Sequence, residues 1–262
     1  MENILDKIVA NKKIEVERQK QECNLATLVS LIEERIYETT KGRFKNSLAN
    51  SETGIIAEFK RRSPSRDWIF KDAQIKDVIP AYSQNGASAI SVLTDMDFFG
   101  GDLKDFEQAR QLTETPLLRK DFVVDEYQLY QAAYYGASAI LLIASALNVK
   151  ETITLATKAQ ELGLDVLLEI HNEKEIGHIN DKVDVVGINN RNLGTFVTDV
   201  QISFELGDKI PNEFLKISES GISQPQTVID LRKAGFKGFL MGENFMKTGD
   251  PGKALQDFIN QL

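Results

Sequence analysis

Cysteine is almost absent from this chain. Cys23 stands alone, so no intrachain disulfide can form, which fits a reducing cytoplasm. Histidine is nearly as scarce: His171 and His178 are the only two, their spacing does not suggest a pair of metal ligands, and both are expected to be solvated. Trp68 is the single tryptophan and is expected to be a local packing anchor. No apolar run approaches the roughly 20 residues that cross a bilayer, so no transmembrane helix is expected. The start, MENILDKIVANKKIEVERQK, mixes charged with apolar residues and holds no uninterrupted h-region, so it is not a secretory signal. Positive charge is in deficit, with 31 Lys and Arg against 39 Asp and Glu and a net charge of −8. That argues against a nucleic-acid partner, and Lys12-Lys13 and Arg61-Arg62 are too short for a basic footprint. It does not exclude an anionic small molecule, because the local field of a cleft outweighs the total charge.

What remains is an ordinary globular composition, 42% hydrophobic and 27% charged over 262 residues, a length that α/β barrels reach as one domain. Residues 1–48 read as helices. Ile4, Ile8, Ile14 and Val16 are spaced for one apolar face, and a second helix is expected from Leu25 to Ile36. From Gly54 onward, short β-branched runs alternate with amphipathic stretches. Eight strands are predicted, at 54–60, 87–94, 116–121, 137–144, 164–170, 184–190, 214–220 and 237–243, each followed by a helix-like segment. Several of those segments end in glycine, the usual residue just past a helix C-terminus. Strands that are apolar on both faces imply a parallel sheet covered by helices. The expected fold is therefore α/β, a single (β/α)8 TIM barrel (49–262) with an N-terminal helical extension (1–48) packed on it, one domain overall.

In such a barrel the chemistry sits at the C-terminal strand ends. The first strand ends in IIAEFKRRSPS, where Glu58 and Lys60, two apart, share a face. Arg119-Lys120-Asp121 ends the third, Glu169 the fifth, Asn189-Asn190-Arg191 the sixth, Ser218-Glu219-Ser220-Gly221 the seventh and Met241-Gly242-Glu243 the eighth. Polar groups thus converge on one rim. A lysine lowered in pKa by burial and a glutamate raised beside apolar groups would form a general acid and base at neutral pH. Glycines just after the last two strands occupy the usual phosphate position of these barrels, where backbone N–H groups hold the anion.

These stretches resemble the indole-3-glycerol phosphate synthase family over essentially the whole chain: IIAEFKRRSPS, LTDMDFFGGD, PLLRKDFVVDEYQ, LLEIHNE, VGINNRNL, SESGI and LMGENFM, in that order. The resemblance implies conversion of 1-(2-carboxyphenylamino)-1-deoxyribulose 5-phosphate to indole-3-glycerol phosphate with loss of CO₂ and water, without metal or organic cofactor. It implies Lys120 as general acid in ring closure and Glu169 as base for the later dehydration. Lys60 would meet the substrate carboxylate or act as a second acid, and Glu58 would orient and tune the lysines. Asn189 and Ser220 would hold hydroxyls and developing charge. Arg191 and Ser63 would help to bind the anionic groups, and Gly221, Gly242 and Glu243 would offer backbone N–H groups to phosphate. Phe99, Phe122 and Leu193 are candidates for the wall around the aromatic ring. The chain departs from the common pattern at Arg66-Asp67-Trp68, where many members have Lys-Gly, and at Glu243, where many have serine. A carboxylate there implies a backbone-only phosphate contact with the side chain turned away. Two other readings stay open: an isomerase of the phosphoribosylanthranilate type, weakened because no cysteine ends a strand, and a barrel that only binds a phosphorylated ligand. The expected partner is a small phosphorylated substrate, with no nucleic acid and no membrane, and the chain is expected to be a cytoplasmic monomer or weak homo-oligomer.

Overall fold

The eight apolar runs after Gly54 all become strands: β1 (Ile55–Phe59), β2 (Ala89–Leu93), β3 (Leu117–Lys120), β4 (Ala139–Ile143), β5 (Asp165–Ile170), β6 (Val185–Asn189), β7 (Leu215–Glu219) and β8 (Gly238–Met241). They close in chain order into one parallel barrel, β8 pairing back to β1. This is the eight-stranded (β/α)8 barrel expected from the pattern. The structure is a computed structural model that describes residues 4–34, 41–192 and 194–262.

Strand residues alternate between two apolar layers. Ile56, Leu118, Leu141, Leu167, Val185, Ile217 and Leu240 belong to the cluster inside the barrel. Ile55, Ala57, Ile90, Leu117, Val166 and Val186 belong to the layer between strands and helices. Neither face meets water, which is why these strands read as near-continuous apolar runs.

The outer helices are α4 (Ile75–Gln84), α5 (Leu103–Leu112), α6 (Glu126–Tyr134), α7 (Val149–Glu161), α8 (Gln201–Gly207), α9 (Pro225–Lys233) and α11 (Pro251–Ile259), with the short α10 (Glu243–Met246) inserted after β8. Their starts carry local signals. Asp125 with Gln128 and Asn148 with Glu151 form capping boxes, and Pro225 and Pro251 open α9 and α11. After β5 the expected helix is instead a six-residue 3-10 segment, Glu173–His178, which contains the poor helix former Gly177. A small antiparallel hairpin, Arg62–Ser63 with Asp67–Trp68, follows β1 and was not anticipated.

The leading segment forms α1 (Ile4–Glu22), α2 (Leu25–Glu34) and α3 (Arg43–Ala49). Phe44 and Leu48 of α3 join the inner cluster, and Asp165, at the start of β5, accepts from the backbone N–H groups of Gly42 and Lys45 at 2.7 and 2.9 Å. Because Asp165 opens its strand, α3 covers the N-terminal end of the barrel. α1 lies at the opposite end, burying Leu5, Ile8, Lys12 and Val16. The expected face was wrong in one residue. Ile14 is 73% exposed, since it stands two residues, roughly 200° of helix rotation, from Lys12. The buried member of that stretch is a lysine, which pattern reading assigns to water.

Candidate active site

A cavity of about 420 Å³ opens at the C-terminal ends of the strands. Glu58, Lys60, Ser63, Phe99, Lys120, Phe122, Glu169, Asn189, Arg191, Ser220, Gly221, Gly242 and Glu243 all line it, drawn together from seven loops and strand ends. Leu193, the remaining predicted wall residue, lies outside the described residues. Leu5 and Ile8 complete the wall from α1, beside the Phe99 and Phe122 rings, whose centroids are 5.8 Å apart.

Inward parity builds the charged floor. Lys120 Nζ lies 3.2 Å from Glu219 Oε2, 3.5 Å from Glu58 Oε2 and 3.9 Å from Glu169 Oε2. Lys60 Nζ lies 2.5 Å from the other Glu58 oxygen. Glu219 is fully buried. As a strand-end residue it is expected on the rim without an assigned role, and its parity with Ile217 sends it inward. Its neighbours in the ladder, Asn189 and Leu240, place it in the same inner ring.

Two glycines make room for these carboxylates. A Cβ on Gly187 would stand 2.3 Å from Glu219 Oε1, and one on Gly242 would stand 2.5 Å from Glu58 Oε1. Gly242 is therefore required by Glu58 at its back, whatever its role toward an anion. Gly187→Ala is expected to push Glu219 off Lys120 and lower kcat about tenfold or more, since misplacement of about 1 Å at such a site can cost up to 10²-fold. A steady-state comparison with wild type checks it, and unchanged kcat would mean that Glu219 does not set the position of Lys120.

The direction of the pKa shifts corrects the sequence expectation. Burial would lower Lys120, but the surrounding Glu219, Glu58 and Glu169 outweigh it and hold the ammonium well above its ordinary range. Burial would raise Glu169, but His171 and Lys120 hold it below the usual carboxylate range. Glu58 is also lowered, by Lys60 and Lys120 against the effect of burial. The raised carboxyl is Glu219, where burial and the negative neighbours Glu169 and Glu58 win over Lys120. Lys120 and Glu169 are thus shifted toward their charged forms and Glu219 toward its protonated form, within one interacting cluster.

The rim is arranged around Arg191. Its guanidinium donates to Ser65 Oγ and lies 3.5 Å from Glu243 Oε2, while Arg66 Nε lies 3.2 Å from Glu243 Oε1. The Glu243 carboxylate is therefore paired with two arginines at the rim. The two departures from the common family pattern, Arg66 and Glu243, meet each other. Ser220 and Gly221 adopt left-handed φ angles of 66° and 76° in succession. A non-glycine residue there is uncommon, and such strain clusters at binding turns. Among the polar strand-end residues, Arg119 does not join the cavity. It faces outward, donating to the Gln128 carbonyl at 2.7 Å and pairing with Asp121 at 3.1 Å. Arg61 pairs with Asp105 and Arg62 with Asp67, so this doublet pins the loop after β1. Trp68 packs against Gly100. His171, expected to be solvated, is instead folded against Glu169. Among the described residues no group of three or more His, Cys, Asp or Glu side chains is arranged to hold a metal ion.

The sequence profile described as indole-3-glycerol phosphate synthase matches residues 5–258. The chain belongs to the indole-3-glycerol phosphate synthase family. An indole-3-glycerol phosphate synthase of Bacteroides thetaiotaomicron is 53% identical over 263 residues, covering 100% of both chains. One from Dechloromonas aromatica is 40% identical over 261 residues, covering 97% of this chain and 98% of its own. Among solved structures, a mutant tryptophan synthase α-subunit of Pyrococcus furiosus superposes with a TM-score of 0.62 over 81% of this chain and 98% of its own, at 15% identity. That likeness concerns the barrel alone. α1 lies outside a minimal barrel, yet its Leu5 and Ile8 line the cavity, so in this synthase-family chain the extension is part of the site. No helix of the described residues is long and apolar enough to cross a membrane.

Proposed function

We propose that this chain closes the indole ring, converting the carboxyphenylamino-deoxyribulose phosphate to indole-3-glycerol phosphate with release of CO₂ and water. The observation that carries this reading is Lys120 held among Glu58, Glu169 and Glu219 beside an apolar wall of two phenylalanines. Ring closure needs an acid on the ketone oxygen while the ring carbon attacks the ketone carbon. Lys120 is fully loaded for that task, and its proton passes to the oxygen as the new bond forms. Loss of the carboxylate as CO₂ restores electrons to the ring, with Lys60 placed to hold that carboxylate before it leaves. Dehydration then needs a base for the proton that is lost and an acid for the leaving hydroxyl: Glu169, kept ionised, takes the one, and Lys60, as the second acid, gives a proton to the hydroxyl so that it departs as water. Glu58 fixes both lysines. Asn189 and Ser220 offer polar contacts to hydroxyls and developing charge.

The phosphate is assigned to the rim, where Gly221, Gly242 and the first-turn N–H groups of α10 supply donors, with Arg191 and Ser63 nearby. Glu243 pairs with Arg191 and would yield the guanidinium to a phosphate. With a single cysteine and a small phosphorylated substrate, the chain is read as a cytoplasmic enzyme that works without an organic cofactor. The test is to incubate metal-free protein with the substrate and follow the rise of indole fluorescence. A rise at enzymatic rates is expected. Binding without a rise would instead mark a barrel that only holds a phosphorylated ligand and would withdraw the roles of Lys120 and Glu169.

A further inference from the structure

His171 follows β5 directly. Two residues beyond Glu169, it is sent by strand parity to the same side. Its Nε2 lies 3.2 Å from Glu169 Oε1, at ion-pair distance but without aligned hydrogen-bond geometry. Its Nδ1 lies 3.4 Å from Glu175 Oε2 and 3.1 Å from Ser145 Oγ. Glu175 is itself fixed, accepting from the His171 backbone N–H at 2.7 Å, from Ser145 Oγ at 2.9 Å and from Asn172 Nδ2 at 2.6 Å. The imidazole side chain is only 10% exposed.

We infer that His171 is a positioning residue for Glu169: as an imidazolium clamped between Glu169 and Glu175, it keeps the base carboxylate ionised and aimed while Lys120 gives up its proton. The inference rests on the reading of Glu169 as the base.

A neutral imidazole carries one N–H and one lone pair. Nε2 faces the Glu169 carboxylate, and Nδ1 faces Glu175 and the oxygen of a Ser145 hydroxyl whose proton goes to Glu175, so a lone pair on either nitrogen would face negative charge. The doubly protonated ring satisfies both. The other charged groups around the ring are Asp6 and Arg191, across an adjoining recess of about 270 Å³, and Lys120 beyond Glu169.

The two Glu169 oxygens are divided between two cations. Oε1 faces His171 and Oε2 faces Lys120. Once Lys120 has protonated the ketone oxygen it is neutral. Glu169 then keeps only His171 as a close cation, with Glu58 and Glu219 still nearby. Without His171, burial and those neighbours favour a protonated Glu169, which cannot act as a base in the dehydration. Consistent with the clamp, Glu169 and Glu175 bring His171 up to about 10 although burial opposes this.

The test has two readouts on the full-length chain. In the ¹⁵N histidine spectrum only two rings contribute, His171 and His178. His171 is expected to stay doubly protonated at pH 8. Its midpoint is expected to fall by about one unit or more in Glu169→Gln, because a carboxylate this close shifts a cation by about 1–3 units. His178, which burial lowers, serves as the internal control. A neutral His171 at pH 7, or a midpoint that ignores Glu169→Gln, overturns the clamp whatever the enzyme does. In kinetics, His171→Gln is expected to lower kcat about tenfold with KM within about twofold, and to move the acidic limb of the pH–rate profile up by about one unit. Glu175→Gln should move that limb the same way by less, and it decides the matter if His171→Gln does not fold. A merely structural role would reduce active protein and leave the limb in place. Wild type without turnover would overturn the functional reading, while wild-type turnover with an unmoved limb in the variants would overturn this inference alone.

Discussion

Lys120→Ala is expected to abolish turnover, with kcat falling by about 10²–10⁴-fold, the usual contribution of a positioned acid, and substrate binding largely intact. The central ammonium is the shared partner of Glu219, Glu58 and Glu169. Its loss would remove the proton donor proposed for ring closure, yet the surrounding carboxylates keep other partners. Glu58 retains Lys60 at 2.5 Å and Glu169 retains His171 at 3.2 Å, while Glu219 already favours its protonated form. The cluster can therefore survive the substitution without collapse, and the apolar wall and the rim around Arg191 are untouched. Single-turnover fluorescence, together with direct titration of substrate binding and a check of the fold by circular dichroism, separates chemistry from binding. Near-normal turnover would sink the assignment of the acid.

The second large effect is expected far from the reacting atoms, at Lys12. Its Nζ lies 2.8 Å from Glu15, 3.0 Å from Asp95 and 3.0 Å from Asp121, with the side chain 1% exposed. Asp95 follows β2 and Asp121 follows β3, so one lysine ties α1 to two loops of the barrel. Thr94 donates to Asp121 at 2.7 Å and Arg119 to Asp121 at 3.1 Å, which satisfies that carboxylate further. Asp95 Oδ2 has no aligned hydrogen bond and relies on the Lys12 charge. Lys12→Met is expected to destabilise the fold by about 3–5 kcal/mol, because breaking a buried pair strands uncompensated charge. At roughly 2–4 °C per kcal/mol for a chain of this size, Tm should fall by roughly 6–20 °C. Loosening α1 also loosens Leu5 and Ile8 on the cavity wall, so KM should rise with the stability loss. A Tm within a degree or two of wild type would show that water relieves the aspartates.

The same network carries a pH dependence. Burial would raise Asp121, but Lys12, Arg119 and the Thr94 hydroxyl bring it down to about 2, against an ordinary value of 3.8. A carboxyl lowered in the folded state contributes stability that is fully present above its unfolded value and is lost as pH falls through the folded one. Lys12 is raised above its ordinary 10.5, so its contribution is present below that value and is lost as pH rises through the folded value. Acid unfolding of wild type should therefore steepen between about pH 4 and 2, and Lys12→Met should blunt that steepening. Denaturant titrations across this range read it directly.

The barrel is legible in the sequence, and so are the strand ends that line its cavity. Two-sided burial writes continuous apolar runs into β1 to β8, and helices between them carry their own caps, so architecture follows from local pattern. Strand ends put Glu58, Lys120 and Glu169 on one rim, and parity paired Glu58 with Lys60, because side chains two apart share a face wherever the strand lies. The rest depends on neighbours distant in the chain. Glu219 became a site residue through Lys120, 99 positions away, and through the space left by Gly187. The directions of the Lys120 and Glu169 shifts reversed because three carboxylates and a histidine meet there, and pKa depends on what stands within a few ångströms rather than on burial alone. Glu243 found Arg66 and Arg191 as partners. Lys12 was buried because Asp95 and Asp121 wait for it on two separate loops. Periodicity reports which face of an element is apolar. It carries no information about which opposite charge another segment will bring, and that pairing is what allows a lysine or a histidine to be buried at all.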